Sequence, residues 1–82
     1  MSYYEVVCRL VKEELEDRIE KDYIFSGEEN LVDDLQFDSI MILQLIIKLE
    51  DEFQITIEDD ELEPKLFENV KILTDFVNLK KA

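Results

Sequence analysis

The chain has 82 residues, 22 acidic against 9 basic, no histidine and a net charge of −13. That length makes one small domain, residues 1–82, burying only about 60% of its unfolded surface, and that acidity excludes nucleic acid and anionic membranes, which are bound by neutralising phosphates with Lys and Arg. A hydrophobic content of 46% excludes disorder, and one Gly with one Pro disfavours a β-sandwich and favours helices joined by polar loops.

The N-terminus MSYYEVVCRL lacks a basic region followed by an apolar run, so no secretory signal is expected. From Tyr3 to about Lys21, Val7, Leu10, Val11, Leu15 and Ile19 recur at helical spacing and predict a first amphipathic helix. Cys8 lies on it as a buried, inert thiol; a lone cysteine closes no internal disulfide, so nothing points to an oxidising compartment and a cytoplasmic protein is expected. The next stretch, KDYIFSGEENLVDDLQF, loses the period and reads as a long ordered loop pinned by Ile24, Phe25, Leu31, Val32 and Leu35. Long loops in small domains are commonly functional, so this one needs a reason.

Asp38 is placed to cap a second helix running to about Phe53, because its carboxylate can accept free first-turn amides at the positive end of the dipole. At about 100° per residue, Ile42, Leu45, Ile46, Leu49 and Phe53 form one stripe, enough to bury the helix. Ile40, Leu43 and Ile47 form a second stripe beginning beside Ser39. Either the loop or the third helix covers this stripe, or it is an exposed contact patch. Glu50, Asp51 and Glu52 crowd the end of the helix where the dipole disfavours acid, which suggests steering of a basic partner. After QITI, the acids before Leu62, Pro64 and Leu66 suggest a short third helix or turn. Asn69 is a plausible cap for a last helix carrying Val70, Leu73, Phe76 and Val77 on one face. No stretch approaches the roughly 20 apolar residues of a membrane helix. Self-repulsion among the acids predicts that salt or divalent cations raise the melting temperature.

Ser39 falls in the first turn of the second helix, where outward amides favour a phosphate. Taken alone it also fits an ordinary first-turn serine. Without histidine no Ser-His-Asp arrangement exists, and no acid/base pair is evident that activates its hydroxyl.

The run from Asn30 to Ile40, NLVDDLQFDSI, followed by Leu45, Leu49-Glu50-Asp51-Glu52-Phe53 and Ile55-Thr56-Ile57, resembles the acyl carrier protein family. The resemblance extends along the chain, with Asp-Ser-Ile in place of the family's usual Asp-Ser-Leu. It implies an all-α, small four-helix bundle with a long loop between helices 1 and 2 and a short third helix, the first, second and fourth helices forming the main bundle. It further implies that a separate phosphopantetheinyl transferase attaches 4′-phosphopantetheine from coenzyme A to Ser39, beside Asp38. The arm then carries acyl intermediates as thioesters for fatty-acid, polyketide, nonribosomal peptide or related biosynthesis.

On this resemblance the chain is no enzyme but a monomeric, tethered substrate, and tethering raises the effective concentration of the acyl group at each partner. The implied partner contacts are Ile40, Met41, Leu43, Gln44, Ile47, Glu50 and Asp51, meeting acyl-loading or acyl-processing enzymes with basic patches.

Two departures stand out. Gln36 occupies a position that is usually glycine, costing about 1 kcal/mol or more if φ is positive there. Met41 and Gln44 replace acids typical of the fatty-acid synthesis type and Lys48 adds a positive charge, which favours a specialised pathway or D-alanine at least as much. Rival readings are a helical adaptor that keeps the fold with Ser39 unmodified, and a calcium loop with Asp22, Ser26, Gly27 and Asp33 at its positions 1, 5, 6 and 12. The latter lacks a ligand at Ile24 and the bidentate Glu at its end.

Overall fold

The computed structural model describes residues 2–20 and 22–82. Three α-helices, α1 (Tyr3–Leu15), α2 (Ser39–Phe53) and α3 (Val70–Lys81), alternate with a long first connection and a second one made of short 3-10 segments. The described residues contain no strand, and no helix among them is long and apolar enough to cross a membrane.

Helix α1 starts after Ser2, which is extended and whose hydroxyl accepts the Glu5 amide at 3.3 Å. Its apolar residues Val6, Val7, Leu10, Val11 and Leu15 share the buried face, and α1 packs against both α2 and α3. The helix is shorter than its apolar spacing predicts. It ends at Leu15, because Glu16 turns to φ 51°, and a 3-10 turn, Glu16–Arg18, follows. Glu13, Glu14, Glu16 and Asp17 all crowd the negative end of the dipole, which disfavours continuing. Ile19 is half-buried beyond the helix, and Lys21, the expected helix end, lies outside the described residues.

The first connection is ordered by its own hydrogen bonds. The Glu29 carboxylate accepts the Ser26 amide (3.0 Å), the Gly27 amide (3.0 Å), the Ser26 hydroxyl (3.2 Å) and the Tyr23 hydroxyl (2.7 Å). Gly27 is required here. Its φ is 98°, and a Cβ would sit 2.7 Å from Lys71 Cε and 3.1 Å from Tyr4 Oη. Asn30 then folds the chain into a single turn: its Oδ1 accepts the amides of Val32 and Asp33, and its carbonyl accepts those of Asp34 and Leu35. Of the apolar residues expected to pin the loop, Phe25 and Leu31 are buried and Leu35 is half-buried, but Ile24 is 88% exposed and Val32 is exposed too. Phe37, not anticipated, is the third buried anchor.

The expected short third helix is instead two 3-10 segments, Asp59–Glu61 and Pro64–Phe67. Among the described residues the bundle therefore has three α-helices, with 3-10 turns in the place of the short third helix. Pro64 can start a turn but supplies no amide, and the span back to Glu58 is too short to nucleate a stable α-helix. Leu66 and Phe67 are nevertheless buried, and the Phe67 carbonyl accepts the Leu31 amide at 3.1 Å, tying the two connections together. Asn69 caps α3 through the Ile72 amide at 2.8 Å, as the sequence suggests. Val70, Leu73 and Val77 are fully buried, and Phe76 is half-buried beside them.

Candidate functional site

The head of α2 is set by three residues. Phe37 is buried, and its amide donates to the Leu31 carbonyl at 2.9 Å, fixing the chain just before the helix. Asp38 is extended, and its Oδ1 accepts the Met41 amide at 2.8 Å, as expected for a cap. Ser39 follows as the first helical residue, exposed, and its hydroxyl makes no hydrogen bond among the described residues. Because the cap takes the third amide of the helix, those of Ser39 and Ile40 stay open at its positive end. A phosphodiester on Ser39 Oγ fits this setting: the oxygen is reachable, and the amides and dipole favour negative charge beside it.

Gln36, two residues before the cap, lies in the left-handed region at φ 58°. The strain anticipated from a non-glycine residue there is present. Arg18, which the sequence reading passed over, reaches this turn. Its Nη2 donates to the carbonyls of Leu35 (3.1 Å) and Gln36 (3.0 Å), and its Nη1 to Met41 Sδ (3.0 Å). The only hint in the sequence is that Arg18 is the one cation in the acidic run from Glu13 to Glu20.

Helix α2 separates its two stripes as its spacing predicts. Leu45, Ile46, Leu49 and Phe53 are buried and Ile42 is half-buried, whereas Ile40 is 65%, Leu43 58% and Ile47 56% exposed. Neither the loop nor the 3-10 segments cover the second stripe, and Gln44 is exposed beside it. Met41 instead turns inward, half-buried against the core.

The acids at the end of α2 do not all face outward. Glu50 is half-buried, and its Oε2 accepts the Ile57 amide at 2.9 Å. Glu52 pairs with Arg9 at 3.1 Å, and Asp51 alone of the three is exposed without a side-chain partner among the described residues. The unfavourable dipole placement is offset by other donors: the Ile55 amide closes on the Glu50 carbonyl (3.1 Å), and Lys81 Nζ donates to the Phe53 carbonyl (3.0 Å). Lys48 does not lighten the charge of the outer face, since it lies between Glu13 and Glu14 of α1, at 3.5 and 3.6 Å.

Elsewhere, Cys8 is half-buried beside Tyr4 along a groove of about 400 Å³ between α1 and the loop. Burial pushes its thiol up, and burial with the neighbouring Cys8 pushes Tyr4 up to about 12, so neither group ionises near neutrality. In the stretch weighed as a calcium loop, the amides of Ser26 and Gly27 close on Glu29, and among the described residues no cluster of three or more His, Cys, Asp or Glu is arranged to hold a metal.

Comparisons with known proteins bear on the family and the fold. The sequence profile of the family described as "Phosphopantetheine attachment site" matches residues 5–77. An acyl carrier protein of Desulforapulum autotrophicum is 36% identical over 69 residues, 84% of this chain and 87% of that protein. One from Exiguobacterium sibiricum is 41% identical over 51 residues, 62% of this chain, and the match spans 58% of that relative's length. Among solved structures, a chain from Mycobacterium tuberculosis assigned as an acyl carrier protein superposes with a TM-score of 0.78 at 31% identity, over 95% of this chain and 97% of that one.

The fold is that of a small helical carrier domain. The chain belongs to the acyl carrier protein family, and the covalent group that goes with the family is 4′-phosphopantetheine.

Proposed function

We propose that residues 1–82 act as one acyl carrier domain, with Ser39 the attachment point of the 4′-phosphopantetheine arm. The observation that carries this reading is the placement of Ser39: exposed, unencumbered, at the capped positive end of α2, and beside the exposed stripe of Ile40, Leu43 and Ile47. When bound, the arm supplies a terminal thiol that carries acyl groups as thioesters. Ser39 Oγ forms the new O–P bond as the diphosphate of coenzyme A breaks, releasing its nucleotide half. The serine proton passes to a base of the transferase, since the adjacent Asp38 carboxylate is engaged in the cap.

The domain itself thus catalyses nothing. Asp38 sets the helix head, while Ile40, Leu43, Gln44 and Ile47 present a mostly apolar surface with Asp51 at its far end. Met41 serves from beneath by packing inward, and Glu50 by holding the chain after α2. Partner enzymes with an apolar patch and a basic rim fit this surface. The exposed part of the first three turns of α2 reads Ser39, Ile40, Leu43, Gln44 and Ile47, without an acid, which favours a specialised biosynthetic pathway over housekeeping fatty-acid synthesis. A monomer working in the cytoplasm is in keeping with this role.

Intact mass after incubation with coenzyme A, Mg²⁺ and a broad-specificity phosphopantetheinyl transferase tests the reading. One phosphopantetheine is gained, and Ser39→Ala gains none. A folded wild-type sample that gains nothing with more than one transferase overturns it and leaves an adaptor that keeps the fold.

A further inference from the structure

We infer that Arg18 is a positioning residue for the modification of Ser39, its guanidinium holding the left-handed turn at Gln36 and the first turn of α2 as one unit. The inference rests on the reading of Ser39 as the attachment point. Gln36 has φ 58° and no side-chain hydrogen bond among the described residues, so nothing in its own side chain offsets the strain. Arg18 grips the backbone on both sides of that strained residue, with Nη2 on the carbonyls of Leu35 (3.1 Å) and Gln36 (3.0 Å). Successive carbonyls point the same way only in helical backbone, right- or left-handed; an extended residue turns them to opposite sides. If Gln36 relaxed to extended backbone, Arg18 would therefore lose one of its two carbonyl acceptors.

The other arm of the fork reaches past the cap. Nη1 donates to Met41 Sδ at 3.0 Å, so one planar group joins the turn before Asp38 to the residue after Ile40. This matters because, besides the Asp38 cap and the buried Phe37 before it, few side-chain contacts hold the first turn of α2. Leu45, Ile46 and Leu49 anchor the helix from its second turn onward, while Ser39 and Ile40 are exposed, and Met41 is the first side chain to pack inward. A lysine offers a single nitrogen and cannot span carbonyls and sulfur as a fork does. Without Arg18 the first turn frays while the rest of α2 stays docked. A misplacement of about 1 Å at a reacting atom is worth up to about 10²-fold in rate.

The test is steady-state transfer of phosphopantetheine, followed by intact mass, to wild type, Arg18→Ala, Arg18→Lys, Gln36→Gly and the Arg18→Ala/Gln36→Gly double variant. The proton NMR coupling between the amide and α protons of residue 36 reports φ independently. Arg18→Ala is expected to lower kcat about 10-fold with KM within about twofold, since the exposed stripe from Leu43 onward is undisturbed, and to change the residue 36 coupling. Arg18→Lys falls between. Gln36→Gly alone is near wild type, and in the double variant it restores most of the lost kcat, because glycine holds a left-handed φ without help.

Wild-type rates for Arg18→Ala overturn the role of Arg18 and leave Ser39 as the attachment point. So does a double variant as slow as Arg18→Ala. If Arg18→Ala fails to fold, Arg18→Lys with and without Gln36→Gly carries the same comparison. A wild-type chain that gains no mass at all overturns the reading of Ser39 and this role with it.

Discussion

Ile46 and Ile47 are neighbours of the same kind with opposite fates. One is 5% exposed and the other 56%, and Leu45 and Leu43 repeat the contrast at 0% and 58%. Hydrophobicity therefore does not decide which side of α2 is core. Angle does: a turn of 100° per residue puts one isoleucine in the core and leaves the next outside. The outer residues are not a failed core, since neither connection covers them, and the two faces should fail in different ways when cut.

The sharpest break falls on the inner face. Ile46→Ala is expected to cost about 2–5 kcal/mol, from lost transfer energy and the cavity left behind. A domain of this size has only about 5–10 kcal/mol in all, so urea unfolding should shift to a much lower midpoint with the slope retained. A loss below about 1 kcal/mol would mean that the site collapses freely and that the inner face is not packed core.

A second break reaches the inner face through its cover. Phe25, Leu31 and Phe37 of the first connection are buried in the same core as α2, and Glu29 organises the start of that connection. Burial pushes the Glu29 carboxyl up, but the Ser26 amide, the Tyr23 hydroxyl and the Gly27 amide together bring it down from 4.5 to about 2. A carboxyl depressed on folding stabilises fully above its unfolded pKa and loses that contribution as pH falls through the folded one. The loss therefore runs from about pH 4.5 to about pH 2. Glu29→Gln should remove about 1–2 kcal/mol at neutral pH and flatten that part of the pH profile, read by urea unfolding across pH. An unchanged profile would show the latch to be energetically idle. Smaller still, Asp38→Ala should cost about 1 kcal/mol by stripping the cap, an effect on both faces because both hang from the same helix head.

Much of this arrangement is legible from residue order. Helix α2, its cap and the split between its stripes follow from spacing and from Asp38, both local. The last helix follows likewise from Asn69 and the period after it. What escaped is non-local. Nothing in the period from Val7 to Ile19 announces that Glu16 adopts φ 51° and ends α1 at Leu15, because apolar spacing continues past a break the backbone makes. Ile24 and Val32 resemble Phe25 and Leu31 in composition yet lie outside, since no period orients side chains in an irregular segment. The bond from the Ile57 amide to the Glu50 carboxylate is hidden likewise, since a backbone donor seven residues on leaves no mark in composition. Arg18 escaped for the same reason: its acceptors lie 17 and 18 residues away in sequence.

The outer face supplies the smallest change in stability and the clearest separation from the inner one. Ile47→Ala removes a side chain already more than half in water, so unfolding free energy should stay within about 0.5 kcal/mol of wild type. If the stripe is what partners read, the loss belongs in recognition. Truncating a central apolar contact costs more than about 1 kcal/mol at an interface hot spot, or roughly fivefold in KM for the transferase or another partner, with kcat little changed because Ser39 remains where it was. Intact-mass kinetics beside urea unfolding of the same sample separates the two quantities. A destabilised Ile47→Ala would mean that the outer stripe is covered in solution, by another copy or by a rearranged loop. A stable variant with unaltered KM would move the recognised surface toward Ile40 and the head of the helix, where Arg18 and Asp38 hold Ser39.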